Sequence, residues 1–245
     1  MTTKRVYIGI DNRGADEKEL ALRADRVTSA IRSAVDWGAS RITVADSGGL
    51  PGELLPPDAL YIRTPLPWGG LDDSFTAALL FGPPDEAPGW AARGIAQVCL
   101  NGVCVESPGL LCALMAGGRG IPVAAAVGCD DYTAAIRGIA PEVEAVILQS
   151  TLPDGSIRHA HPSRSERAVG DGVMRGLRRI EAIQPVCLHA PIRCEVDFLW
   201  AGGARRAALI PGVTLTAARS VAFAGGYAEI EPILALVLCY LDISL

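Results

Sequence analysis

Histidine is scarce in this sequence: His159, His161 and His189 are the only three in 245 residues. A site that needs several imidazole ligands therefore has few residues to draw on. A strong charge of one sign is also lacking, because 22 basic and 27 acidic residues leave a net charge of -5. Nucleic acid and anionic membrane surfaces are therefore poor candidate partners, since both bind positively charged protein surfaces.

Long apolar runs and targeting signals are lacking as well. The longest apolar run, residues 233–241, is far shorter than the roughly 20 residues that a membrane-spanning helix needs. The first five residues lead into an apolar strand without the apolar region or cleavage site of a signal peptide. We therefore expect no membrane association and a cytoplasmic location.

The cysteines lack the spacing of a metal or redox motif. No Cys-x-x-Cys pair occurs, and an odd number in a chain expected in the cytoplasm predicts buried free thiols. A thiol nucleophile at Cys104 or Cys129 is an alternative, because each lies close to an acidic residue, but no Cys-His spacing supports it. The seven are Cys99, Cys104, Cys112, Cys129, Cys187, Cys194 and Cys239.

The chain is organised around residues 6–14, an apolar run that ends in a turn carrying Asp11 and Arg13. Residues 17–37 then place apolar side chains three and four positions apart, which predicts a helix on a sheet. Gly38 follows at the usual helix end, and residues 41–45 read as a second strand. Strand, helix and strand predict a parallel pair with a right-handed crossover.

Later segments continue the alternation up to residue 184 and then change. Residues 95–105 predict a hairpin with Asn101 and Gly102 at its turn. After residue 185 we expect a strand, a helix, a hairpin and a terminal helix. The predicted fold class is α/β, with a parallel-rich sheet flanked by helices in residues 1–184 and an appended α+β region in residues 185–245.

Several segments, read in order, resemble the DppA-type zinc D-aminopeptidase family over nearly the whole chain. Residues 7–14 resemble the family's opening strand and turn, and residues 30–47 resemble its first helix and second strand. No single segment is specific, but all of them occur in the family's order. The remaining segments are 70–75, 101–103, 120–123, 128–131 and 208–213.

That resemblance implies hydrolysis of amide bonds next to D-residues by paired zinc ions, and a closed ring-like homo-oligomer. Zinc requires converging carboxylate and imidazole ligands, and of the family's ligand positions only Asp11 keeps its ligand. We therefore predict that the zinc chemistry is lost and that no metal or cofactor is used. The altered positions are Arg13, Gly48, Pro83 or Pro84, the shortened stretch 89–94, and Ser107, with Glu106 one residue early.

A metal-free site remains possible at the same strand ends. The guanidinium of Arg13 would replace the metal's charge and polarise a carbonyl or hold a carboxylate, while neighbouring carboxylates would act as acid and base. The alternative is that Arg13 only neutralises the acids of an inactive pocket. The candidate catalytic residues are Asp11, Arg13, Asp46, Ser47, Glu106 and Ser107.

Substrate contacts are expected from two further segments. Asp130 and Asp131 follow a strand, where they shape the pocket floor or cap the next helix. His161 precedes Pro162, as in a helix-start motif of the same family, and His159 lies two residues away in what reads as a polar loop. We expect His189 on a strand as a surface or core residue.

Two classes of function follow. The first is a metal-independent, repurposed enzyme that acts on a small amino-acid-derived or peptide-like substrate by hydrolysis, cyclisation or a related acyl or proton transfer, for example in biosynthesis. The second is an inactive relative that binds a small ligand or a partner protein. A residual metallo-aminopeptidase is the third alternative.

Overall fold

A computed structural model of the chain describes residues 3–11, 16–83, 90–91 and 94–239. Arg13, Pro84 and residues 89, 92 and 93 of the stretch 89–94 lie outside the described residues, so the hypotheses on them stay predictions. Within the described residues the strands are β1 (Arg5–Ile10), β2 (Arg41–Asp46), β3 (Ala59–Arg63), β4 (Ala77–Phe81), β5 (Ile95–Leu100), β6 (Val103–Cys104), β7 (Val123–Cys129), β8 (Glu144–Thr151), β9 (Ile157–His159), β10 (Ile192–Phe198), β11 (Thr214–Ala217) and β12 (Ser220–Gly225).

The helices of the same residues are α1 (Glu17–Asp36), α2 (Pro108–Gly118), α3 (Asp130–Ile139), α4 (Pro162–Arg178), α5 (Ala201–Ala207) and α6 (Tyr227–Cys239). Among the described residues, no helix is both long and apolar enough to cross a membrane.

The first sheet has the order β3-β2-β1-β4-β7-β8-β9 and is parallel except for β9. Strand β1 lies in its interior, where Ile8 pairs with Val44 on one side and Leu79 on the other. All these residues are buried, as expected of a parallel sheet covered on both faces. The predicted parallel-rich α/β fold is confirmed.

One face of this sheet is covered by α1 and α4. Val27 and Ile31 of α1 are buried against the sheet, as their spacing predicts. The two helices are also tied together, because Ser29 and Ser33 donate to the carbonyls of Glu166 at 2.7 Å and Gly170 at 2.9 Å.

The other face carries α2, α3 and the second sheet, whose order is β11-β12-β10-β5-β6. This sheet is antiparallel, and β10 pairs with both β12 and β5. It therefore joins strands from both sides of residue 184. A division of the chain at that residue stays a prediction, and any test of it has to account for the pairing of β10 with β5.

The structure corrects three local expectations. His159 lies on β9, paired with Gln149, and not in a loop. His189 is exposed and precedes β10 instead of lying within a strand. The expectation that the cysteines are buried is wrong for Cys104 and Cys187, which are exposed free thiols. The secondary structure and exposure of short polar segments are hard to predict, because exposed side chains show no alternation of buried and exposed positions.

Candidate functional site

A small cavity lies where the order of the first sheet reverses, between the carboxyl ends of β1 and β4. The chain moves from β1 to β2 on one side and later to β4 on the other, and such a switch point leaves a crevice for ligands. The volume open to the centre of a water molecule is about 10 Å³, which holds about one water. The lining residues are Gly9, Ile10, Asp11, Ser47, Pro67, Leu80, Pro108, Gly109 and Cys112.

Asp11 and Ser47 are brought together at this cavity, as the sequence predicts. The hydroxyl of Ser47 lies 3.3 Å from Oδ1 of Asp11 and 3.3 Å from the carbonyl oxygen of Ile10. The N–H of Asp11 donates to the carbonyl of Phe81 at 3.1 Å, which fixes the residue against the end of β4. A buried carboxylate beside a hydroxyl is an arrangement that accepts and returns a proton.

Asp46 ends the neighbouring strand, but its carboxylate holds a turn. Oδ1 accepts from the N–H of Gly48 at 3.1 Å, and Oδ2 accepts from the N–H groups of Gly49 at 2.7 Å and Leu50 at 2.6 Å. The hydroxyl of Tyr61 lies 3.0 Å from the same Oδ2. Burial and the nearby negative charge of Asp46 raise the pKa of Tyr61 to about 12. The side chain of Asp46 is therefore structural.

Ser107 caps α2 at the edge of the cavity. Its hydroxyl accepts from the N–H of Leu110 at 3.3 Å, and its carbonyl accepts from Leu110 and Leu111. Pro108 has no N–H, and the N–H of Gly109 donates to no group in the described part of the chain. The N-terminus of a helix carries a partial positive charge from the helix dipole. An N–H group there that has no partner is therefore suited to bind a negatively charged oxygen. Glu106 is exposed, one residue earlier.

Tyr132 is a residue of this site that the sequence did not indicate. Its ring occupies space left by Gly82, Gly109 and Gly128, where an added Cβ would come within 3.0 Å of the ring or hydroxyl. The hydroxyl is buried and has no hydrogen-bond partner among the described residues. Burial raises the pKa of Tyr132 well above its usual value, helped by Cys112 and Asp11. The hydroxyl therefore stays protonated and is available as a donor.

Arg23 brings a positive charge to the same strand ends. It lies in α1 and is 6% exposed, and its Nη1 donates to the carbonyls of Asp11 at 3.0 Å and Gly82 at 2.6 Å. Burial lowers the pKa of its guanidinium, while Glu19 opposes the shift from 3.3 Å away. The sequence does not single out Arg23, because an arginine on an amphipathic helix is typical of a surface residue.

Of the predicted substrate-binding residues, the two histidines lie away from this cavity, whereas the two aspartates follow β7, the strand next to β4. His159 and His161 line a groove of about 670 Å³ with Arg158 and Arg164, and this groove shares no lining residue with the cavity at Asp11. Nδ1 of His161 lies 2.9 Å from the hydroxyl of Ser163. Asp130 and Asp131 begin α3, where Oδ1 of Asp130 accepts from the N–H of Asp131 at 3.1 Å.

The match to a family model decides the relationship. The model, described as D-aminopeptidase, matches residues 11–230. The chain belongs to the D-aminopeptidase family. A solved structure, the Zn-dependent D-aminopeptidase DppA from Bacillus subtilis, described as a self-compartmentalizing protease, superposes with a TM-score of 0.79 at 20% identity, covering 98% of this chain and 99% of that one. At that identity the likeness shows the fold. Curated protein sequences give no match.

Among the residues that the structure describes, the donor set of this D-aminopeptidase family member does not fit a paired zinc site. No group of three or more His, Cys, Asp or Glu residues that would hold a metal occurs in the described ranges. Both oxygens of Asp46 accept from backbone N–H groups, Gly48 and Pro83 have no ligating side chain, and Ser107 is used as a helix cap. Zinc needs several free carboxylates or imidazoles around one point, which these residues do not supply.

Proposed function

We propose that this chain is a metal-independent member of the D-aminopeptidase family that acts on a small amino-acid-derived or peptide-like substrate at the carboxyl ends of β1, β2 and β4, where the reacting group of the substrate would reach the small cavity at Asp11. The observation that carries the proposal is the position of the Asp11 carboxylate next to the Ser47 hydroxyl, at a cavity that Gly109 also lines. The N–H of Gly109 and the buried hydroxyl of Tyr132, whose ring packs against Gly109, are donors that have no partner among the described residues.

The chemistry follows from these groups. Gly109 and Tyr132 would donate to a substrate carbonyl oxygen as it gains negative charge, which is how an oxyanion is stabilised. Asp11 would accept a proton from Ser47, from water or from a substrate amine. These steps fit an acyl or proton transfer, including hydrolysis or cyclisation, and a biosynthetic reaction is one setting for them. Arg13 would add a fixed positive charge at the same turn.

The remaining predicted residues stay part of the proposal. Glu106 is a candidate acid or base, while Asp46 supports Ser47 through the turn that it holds. The groove with His159 and His161 has two arginines at its walls and would bind a carboxylate group at a second place, separate from the cavity at Asp11. Asp130 and Asp131 lie at the start of α3, two residues or fewer from Tyr132, and would meet a cationic group.

A substrate screen in the presence of a chelator tests the proposal. The panel consists of D- and L-amino-acid amides and dipeptides, and release of amine or cyclisation is followed by mass spectrometry. Asp11→Asn should lower kcat/KM at least about 100-fold. Asp36→Asn is the matched control, because Asp36 is exposed at the end of α1, and it should leave kcat/KM unchanged.

Two outcomes would contradict metal-independent catalysis. Turnover that is lost on chelation and restored by zinc would identify a metallo-aminopeptidase. Binding of panel compounds without turnover, weakened by Asp11→Asn, would identify an inactive relative that binds a ligand.

We further propose that the chain forms a closed homo-oligomer, as the resemblance implies, and that it acts in the cytoplasm. DppA is described as self-compartmentalizing. This chain exposes several large apolar side chains in its C-terminal quarter, namely Leu199, Trp200, Leu209 and Leu215, with Leu209 82% exposed, and such side chains favour contact with another surface. Light scattering that gives the mass of a monomer would contradict the assembly.

A further inference from the structure

Two free cysteines face each other on the hairpin of β5 and β6. The sulfur of Cys99 lies 2.6 Å from the sulfur of Cys104. Cys104 is exposed and Cys99 is half-buried, so the pair is open to a small molecule from solvent. A disulfide bond requires a sulfur separation of about 2.04 Å, and the two thiols therefore lie close to bonding distance.

The hairpin holds the pair in this position. Asn101 and Gly102 form its two-residue turn, both with positive φ, and the register places Cys99 opposite Cys104. The N–H of Val105 donates to the carbonyl of Val98 at 2.8 Å. Because hydrogen-bonded and non-hydrogen-bonded pairs alternate, the cysteines occupy a non-hydrogen-bonded pair, in which side chains are closest. Such a pair meets the Cα and Cβ spacing of a disulfide without backbone movement.

We propose that Cys99 and Cys104 are a reversible dithiol–disulfide site whose oxidant is a low-molecular-weight disulfide. The thiolate of Cys104 attacks the oxidant, a mixed disulfide forms at Cys104, and one small thiolate leaves and takes up the proton. The sulfur of Cys99 then attacks the sulfur of Cys104 and expels the second small thiolate. The two cysteines lose two electrons and two protons, and the oxidant becomes two thiols.

The surroundings of the two sulfurs favour Cys104 as the first thiol to react and Cys99 as the second. Nε2 of Gln97 lies 2.5 Å from the sulfur of Cys104 and donates to it, and Cys104 is the more exposed of the two thiols, so a small oxidant reaches it first. Burial and Cys104 raise the pKa of Cys99 to about 12, and the acids Asp197 and Glu195 on β10 add to the shift. Cys99 is therefore the slower first nucleophile, and it acts once Cys104 carries the mixed disulfide.

The bond would fix β6 directly before the cap of α2. Val105 follows Cys104, and its carbonyl accepts from Nε1 of Trp90 at 2.5 Å. Two residues later, Ser107 caps the helix that lines the cavity. The redox site is therefore joined to the candidate active site by three residues of chain.

Glutathione redox buffers test the proposal on the full chain. After equilibration and acid quenching, free thiols are alkylated, and the tryptic peptide 94–119 is analysed by mass spectrometry. Buried Cys112 lies in the same peptide and serves as an internal reference. We expect loss of two hydrogens from this peptide in oxidising buffer and full recovery of the thiols in reducing buffer.

Three serine variants define the bond. In Cys99→Ser the second step is blocked, so the glutathione mixed disulfide at Cys104 should be about tenfold more abundant than in the unchanged chain, since a neighbouring thiol acts at millimolar or higher effective concentration. Cys104→Ser should leave Cys99 largely unreacted. Cys187→Ser, which removes an exposed thiol outside the hairpin, should leave the bond intact.

Equal amounts of mixed disulfide at Cys104 in the unchanged chain and in Cys99→Ser would overturn the proposal. Full alkylation of both thiols in oxidising buffer would overturn it as well. Neither result depends on the catalytic activity, so the site is tested separately from the proposed function.

Discussion

Two aspartates at the ends of neighbouring strands have different surroundings in the structure. Asp46 accepts from three successive backbone N–H groups and lies next to the hydroxyl of Tyr61. Asp11 faces the cavity and has the hydroxyl of Ser47 beside it. The register pairs Asp46 with Ile10, so Asp11 lies one residue further along its strand. This offset separates a carboxylate that holds a turn from one that lines the cavity.

Asp46→Asn should lower the free energy of unfolding by at least about 2 kcal/mol, because an amide group replaces an oxygen that accepts from backbone donors and the charge is lost. Urea denaturation followed by circular dichroism measures the change. Asp58→Asn, on an exposed loop, is the control and should stay within about 0.5 kcal/mol. An unchanged stability of Asp46→Asn would contradict the structural role.

Tyr132→Phe should behave in the opposite way. It removes a buried hydroxyl that has no partner in the described structure, so stability should stay the same or rise by about 1 kcal/mol, while turnover of a substrate found in the screen falls about tenfold or more. Tyr61→Phe is the comparison, because its hydroxyl lies 2.7 Å from the carbonyl of Leu50 and 3.0 Å from Asp46, and it should destabilise. Lower stability with unchanged turnover in Tyr132→Phe would contradict the proposed donor.

At the scale of elements, helix α4 packs closely on the first sheet because it has glycines at the contact. A Cβ on Gly176 would meet the carbonyl of Ala124 in β7, and one on Gly172 would meet the side chain of Val146 in β8. These positions allow the helix backbone to approach the strands closely, which a larger residue would prevent.

Gly176→Ala should therefore destabilise the protein by about 1–3 kcal/mol, since the strand backbone that it meets cannot give way. Gly138→Ala is the matched control: it is an exposed helical glycine with nothing within 4 Å of an added Cβ. It should stabilise by up to about 1 kcal/mol, because alanine is the better helix former. Thermal unfolding of both variants gives the comparison, and equal effects would contradict the close seating of α4.

Elements whose apolar residues recur at a regular spacing were predictable from the sequence, and elements without such a spacing were not. The order β1, α1, β2 follows from buried runs and helical spacing, and the hairpin at Asn101 follows from its turn residues. Strand β9 was missed because all three residues are exposed. Asp11 and Ser47 were found because they follow strands. Tyr132 was not predicted, because glycines from three separate segments of the chain leave the space that its ring fills.

At the scale of the whole molecule, the family fold is kept, while the described residues at its strand ends contain no group of three or more potential metal ligands. The central parallel sheet depends on buried apolar residues, and the second sheet joins distant parts of the chain. Substitutions at strand ends leave that core intact, since few of those side chains contribute to it. A fold of this kind can therefore exchange one chemistry for another at a modest cost in stability.

The unfolding temperature in the presence of zinc tests this separation of fold and chemistry. A metal held by the native state raises stability by about 2.7 kcal/mol at one hundred times its dissociation constant, whereas a chain without a zinc donor set should show no rise. We expect the same unfolding temperature with chelator and with micromolar zinc, and the same result for Asp11→Ala. A rise of several degrees that Asp11→Ala removes would show that Asp11 ligates metal, together with residues outside the described ranges. A rise that is equal in both proteins would place zinc at other groups, such as the thiols of Cys99 and Cys104, and Cys104→Ser would then remove it.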